Sequence, residues 1–94
     1  MVCILLNCTK NEELYTKAVS EVRKGNYDQA IILWKKLVSK NKTNPKYLNN
    51  LGWTYFRNDD FIKAKKILKK AKKICQNPEL LKSIKTNILM VDTF

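Results

Sequence analysis

The chain contains no histidine. That removes the side chain most used as a general base and most used as a metal ligand. It has only three cysteines, Cys3, Cys8 and Cys75, and no CxxC pair. An odd, widely spaced set supplies neither a disulfide framework nor a zinc site. No glycine-rich phosphate loop is present. Catalytic, metal-ligating and cofactor-binding residues are therefore not expected. Two glycines and two prolines in 94 residues leave little room for long loops.

Arginine is also scarce. Arg23 and Arg57 are the only guanidinium groups, and lysine carries nearly all of the formal charge of +11. A strongly basic surface attracts nucleic acid, anionic membrane or acidic protein. Arginine, however, is the residue suited to planar, bidentate phosphate contacts. Lysines that simply solvate helix surfaces are the plainer reading.

What the chain does have is a period. Tyr27 and Phe61, Ala30 and Ala64, Ala18 and Gly52, Trp34 and Leu68, and Leu37 and Ala71 are each separated by 34 residues. Small residues recur where helices would cross closely, and large apolar residues recur at helical spacing between them. Boundary signals agree. Thr9 with Glu12, and more weakly Asn26 with Gln29, have capping-box spacing. Gly25 suits a left-handed helix end. Asn44-Pro45 and Asn77-Pro78 each place a cap before a first-turn proline. These signals predict helices near 10–24, 27–41, 45–57, 60–75 and 78–91.

Leu48, Leu51-Gly52 and Tyr55, followed by Ala64 and Leu68, resemble the two helices of a tetratricopeptide repeat. Leu14, Lys17-Ala18 and Glu21, followed by Ala30 and Trp34, are a more degenerate copy. The usual late proline is missing at Lys42 and Gln76. The resemblance covers residues 11 to 91. It implies an all-α fold, a right-handed superhelical stack of antiparallel helix pairs with five helices. Repeat 1 would span about 11–44, repeat 2 about 45–77, and a capping helix 78–91. In the closing helix Lys85 falls where Gly52 falls, so that helix should end the stack and face water on its far side.

The same resemblance implies a concave groove, lined by the first helix of each repeat, that binds a peptide or protein segment. Its positions transfer to Glu12, Tyr15, Val19 and Val22, to Lys46, Asn49, Asn50, Trp53, Phe56 and Arg57, and to Lys82, Thr86 and Leu89. Trp53 lies off the Leu48–Leu51–Tyr55 stripe. It either anchors a ligand or packs between the first and third helices. Some members clamp a C-terminal carboxylate with Lys, Asn and Arg. Asn50 fits that clamp, but Tyr15 and Val19 replace its first-repeat residues, so such a ligand is not expected.

Two segments lie outside this scheme. Lys63, Lys65, Lys66, Lys69, Lys70, Lys72 and Lys73 fall opposite an apolar stripe. They form a solvated face or a contact for anionic membrane or nucleic acid. Nucleic acid comes second, because no aromatics interleave with the run. Residues 1–9 are apolar up to Cys8 and polar after it. This junction resembles the end of a bacterial lipoprotein signal peptide, with Cys8 as the lipidation candidate. It has no charged leader, and the apolar run is short. A membrane-anchored location follows if the chain is a truncated precursor, and a cytoplasmic one otherwise.

The expected function is a non-enzymatic protein-interaction module. A basic adaptor for nucleic acid or anionic membrane is the alternative, and end-to-end self-association is a third reading.

Overall fold

The computed structural model describes residues 2–93, with side chains from residue 10 onward. The described residues form five helices and no strand: α1 (Val2–Lys24), α2 (Tyr27–Lys40), α3 (Pro45–Arg57), α4 (Phe61–Ile74) and α5 (Pro78–Asp92). Each helix packs on the next, and α3 also meets α5. The result is an elongated stack of 46 × 30 × 19 Å.

Local chemistry accounts for most boundaries. Asn44 accepts from the backbone N–H groups of Lys46 (3.0 Å) and Tyr47 (3.3 Å), ahead of Pro45. Asn77 accepts from Leu80 N–H at 2.9 Å, ahead of Pro78. Asp60 caps α4 by accepting from Lys63 N–H at 3.2 Å. Each cap satisfies a donor that the first turn of a helix leaves without an internal partner.

Helices α1 and α3 end in the same way. Gly25 has φ +82°; its N–H donates to Val22 C=O, and the next N–H, of Asn26, reaches back to Glu21 C=O. Asp59 has φ +64° and repeats both bonds, to Phe56 and, through Asp60, to Tyr55. This paired pattern closes the last carbonyls and requires a left-handed residue, which glycine adopts without steric cost.

Two capping expectations fail, one with a change of boundary and one without. Helix α1 begins at Val2, so Thr9 lies inside it and does not open it. No glycine or proline interrupts residues 2–24, and the turn at Thr9 has no need to break. Cys8 falls in this stretch, and its side chain lies outside the described ones. At the second boundary, Asn26 makes no side-chain cap for α2. Its amide donates instead to the Glu21 carboxylate at 2.9 Å, a charge-assisted bond that outcompetes the weaker cap.

The core has two parts. Trp34, Leu37, Leu51, Tyr55 and Leu68 gather around Ala18, Ala30 and Ala64, whereas Leu48, Ala71, Cys75 and Ile84 join α3, α4 and α5. Gly52 sits where α3 packs closely on Leu68 of α4. A Cβ there would lie 2.6 Å from Leu68 Cγ and 2.8 Å from Leu68 Cδ2. At the far end, Lys82, Lys85 and Thr86 of α5 are exposed, and Ile84 and Val91 are buried beneath them.

Candidate peptide-binding groove

The expected groove residues divide into exposed, half-buried and buried sets. Tyr15 is half-buried and tied to two neighbouring helices. Its ring meets Trp34 of α2 edge-on at 5.3 Å and leans on Tyr47 of α3 at 6.2 Å. Its hydroxyl accepts from the Asn50 amide at 3.4 Å. The Lys46 ammonium stands 4.7 Å from the centre of the same ring, within range of a cation–π attraction. Beside this cluster Asn11, Glu12, Tyr15, Thr16, Asn44, Lys46 and Tyr47 line a depression of about 570 Å³.

One turn further along, Val19, Val22 and Arg23 of α1 face Asn50, Trp53 and Thr54 of α3 across a cleft of about 220 Å³. Trp34 contributes part of its wall. Trp53 is half-buried and rests against Phe56 with ring centres 5.2 Å apart. It therefore packs beside the core and still lines the cleft. Trp34 is only 2% exposed, and its indole N–H has no acceptor among the described residues. A buried N–H left unpaired is uncommon and costs about 1–3 kcal/mol.

Asn49 and Phe56 depart from the expected groove lining. Asn49 is 6% exposed and accepts a 3.0 Å bond from the Asn87 amide of α5. The closing helix covers it, and its polarity is spent on that helix. Phe56 is 8% exposed, wedged between Trp53 and Phe61, whose ring centre is 5.7 Å away. Both lie on the side of α3 that turns toward its neighbours.

Arg57 is exposed at the end of α3, where its Nε donates to the Tyr27 hydroxyl at 3.3 Å. Lys82 and Thr86 are exposed on α5, with the Thr86 hydroxyl donating to Lys82 C=O at 3.0 Å. Glu12 and Leu89 are exposed, and Val22 is half-buried.

Sequence reasoning missed Arg23, Trp34 and Thr54 as lining residues. Arg23 was within reach of it. It follows Tyr15 and Val19 at four-residue steps and precedes Arg57 by the repeat length of 34. Trp34 comes from the second helix of its repeat, and only the packing reveals its edge in the cleft. A larger depression of about 930 Å³ lies between α1 and α2. It is lined largely by charged side chains such as Lys10, Glu13, Lys17, Lys36 and Lys40, and among the described residues no buried polar group points to a ligand there.

Five helices stacked pairwise, small residues at the crossings and a 34-residue offset define a tetratricopeptide-like repeat protein. Residues 23–83, from the last turn of α1 into α5, match the family model described as Anaphase-promoting complex, cyclosome, subunit 3. The chain belongs to that family, a tetratricopeptide-type repeat family. No curated protein matches the chain. The repeat class is one of protein-interaction scaffolds.

Proposed function

We propose that this protein is a non-enzymatic scaffold that holds a segment of a partner protein along α1, α3 and α5, with Trp53 as the anchor. The reading rests on the cleft of about 220 Å³ between Val19, Val22 and Arg23 on one side and Asn50, Trp53 and Thr54 on the other. Small-molecule pockets run to about 300–1,000 Å³ and enclose most of the ligand. This cleft is smaller and suits one apolar side chain. A half-buried tryptophan offers a large contact area with little motion to freeze, which is why tryptophan dominates interface hot spots. Asn50, half-buried at the cleft, supplies a polar partner for a peptide backbone.

The rim adds a charge preference. Arg23 lines the cleft, Lys46 and Arg57 stand one helical turn before Asn50 and after Trp53 on α3, and all three are exposed. A segment with an apolar anchor beside acidic residues fits best. The test is selection of peptides from a random display library on the immobilised protein, followed by affinity measurement. Trp53→Ala is expected to weaken a selected peptide by about 2 kcal/mol or more, roughly thirtyfold. Undiminished affinity in a variant that keeps its helical circular dichroism would remove Trp53 as the anchor.

A further inference from the structure

Helix α4 carries a second surface that shares no residue with the groove. Ala64, Leu68, Ala71 and Cys75 are buried against the rest of the stack. On the opposite side Ile62, Lys66, Lys69 and Lys73 follow one another at steps of four, three and four residues, the spacing of a single helical stripe. Lys63, Lys70 and Lys72 are also exposed, and Lys65 is partly so. The helix contains no acidic residue. Two neighbouring carboxylates take one lysine each, Asp60 with Lys63 at 3.7 Å and Asp92 with Lys65 at 3.1 Å. Among the described residues the other five lysines have no ion-pair partner. Lys35 of α2 extends the basic surface, since its ammonium and that of Lys63 lie 6.0 and 5.7 Å from the Tyr55 ring.

Within this basic field one residue is out of character. Ile62 is 84% exposed. It borders a shallow cleft of about 450 Å³ whose apolar side is Phe61, Ile62 and Val91 and whose rim is Lys65, Lys66 and Lys69. An exposed aliphatic side chain flanked by ammonium groups gains nothing from phosphate alone. At a lipid–water boundary it loses contact with water while the lysines, on flexible stems, reach the headgroups. The basic field contains no arginine, and the rings nearest it, Phe61 and Tyr55, are half-buried and buried; guanidinium groups and exposed rings would favour nucleic acid. Among the described residues no helix is long and apolar enough to cross a membrane, so the contact is a surface one.

We propose that the outer face of α4 docks on an anionic lipid bilayer, with Lys66, Lys69, Lys70 and Lys73 over the headgroups and Ile62 inserted among them. Docked this way, the α1–α3 cleft stays free for a protein partner.

The experiment is co-sedimentation of the full chain with phosphatidylcholine vesicles, with and without phosphatidylserine, at low and high salt. A DNA duplex at equal phosphate concentration is run beside them. Binding is expected only to the phosphatidylserine vesicles, and it should weaken as salt rises. Replacing Lys66, Lys69, Lys70 and Lys73 together by Gln should lower the partition coefficient by ~100-fold or more, since each well-placed lysine is worth about fivefold. Ile62→Ser should lower it by roughly three- to tenfold, and that loss should persist at high salt because apolar transfer is not screened. All these positions are exposed, and unchanged circular dichroism confirms that the variants fold. Equal sedimentation with both vesicle types, none at low salt, or tighter retention on the duplex overturns the proposal. An Ile62→Ser variant that sediments like wild type overturns it too, because a purely electrostatic face would not need a membrane.

Discussion

The two repeats share a period and differ in depth. Seven residues of α3 are buried, from Leu48 to Phe56, whereas Ala18 alone is buried along the part of α1 whose side chains are described. Helix α3 packs on α2, α4 and α5; the main neighbour of α1 is α2. Residues at the same repeat position therefore meet different fates. Tyr15 and Asn49 are 34 apart, yet Tyr15 lines the groove and Asn49 is closed over by α5. Gly25 and Asp59 are 34 apart and make the same turn with different side chains. Periodicity sets the direction of a side chain around its helix, and the number of neighbouring helices sets how much water it keeps.

The sharpest way to break this comparison uses the two tryptophans. Trp34→Ala should destabilise the fold by ~3–5 kcal/mol, as expected for truncating a buried ring. Trp53→Ala should cost less, about 1–2 kcal/mol, because part of its ring already faces water. Urea unfolding monitored by circular dichroism measures both. Equal losses would place Trp53 wholly in the core and remove it from the groove.

Next comes the crossing at Gly52. Gly52→Ala should cost ~1–3 kcal/mol, since its Cβ would press on the buried Leu68. Gly52→Leu should cost more and unfold the second repeat. Leu68→Ala is itself costly at this buried position, but it should cost less in the Gly52→Ala background than alone, the non-additivity expected of two groups in contact. An unchanged unfolding midpoint in Gly52→Leu would show that α3 and α4 do not cross there.

Asn49 and Tyr15 sharpen the comparison at one repeat position. Asn49→Ala should cost about 1–2 kcal/mol, because it leaves the Asn87 amide without its acceptor. Tyr15→Phe loses only a long 3.4 Å bond and should stay within about 0.5 kcal/mol. A reversed order in thermal melts would contradict the difference in cover.

The smallest effects lie at the helix ends. Gly25→Ala should destabilise by ~1 kcal/mol, whereas Asp59→Gly should stabilise by up to ~1 kcal/mol. Both changes keep the turn and alter only the cost of a left-handed residue. Opposite signs in matched melts are the expected result, and like signs would mean that the two turns are not equivalent.

Much of the fold was legible because its signals are local. Asn44-Pro45 and Asn77-Pro78 mark helix starts within two residues, and the Ala, Gly and Leu positions mark crossings within one repeat. The groove was legible only in part. A wheel drawn on α3 places Trp53 and Asn49 off the Leu48–Leu51–Tyr55 stripe alike, yet it holds no information on where α5 comes to rest. The burial of Asn49 and Phe56 is a property of that neighbour. The choice of Asn26 between its own helix and Glu21, and the left-handed Asp59, were similarly decided by competing bonds that no spacing rule ranks. The start of α1 was misplaced for a simpler reason. A capping motif is permission to begin a helix, and nothing before Thr9 forbade an earlier beginning.

Tyr15 has a mechanical consequence. Helices α1 and α3 share no broad backbone seam. The Tyr15 ring helps to brace them, touching Trp34, Tyr47, Asn50 and Lys46. A strut of this kind would bear on the angle between the two helices, much as a shim does between two planks. A ligand carboxylate that draws the Lys46 ammonium away from the ring would loosen the shim at the moment of binding. If the proposed groove holds a partner, its width would then respond to the occupant through one side chain.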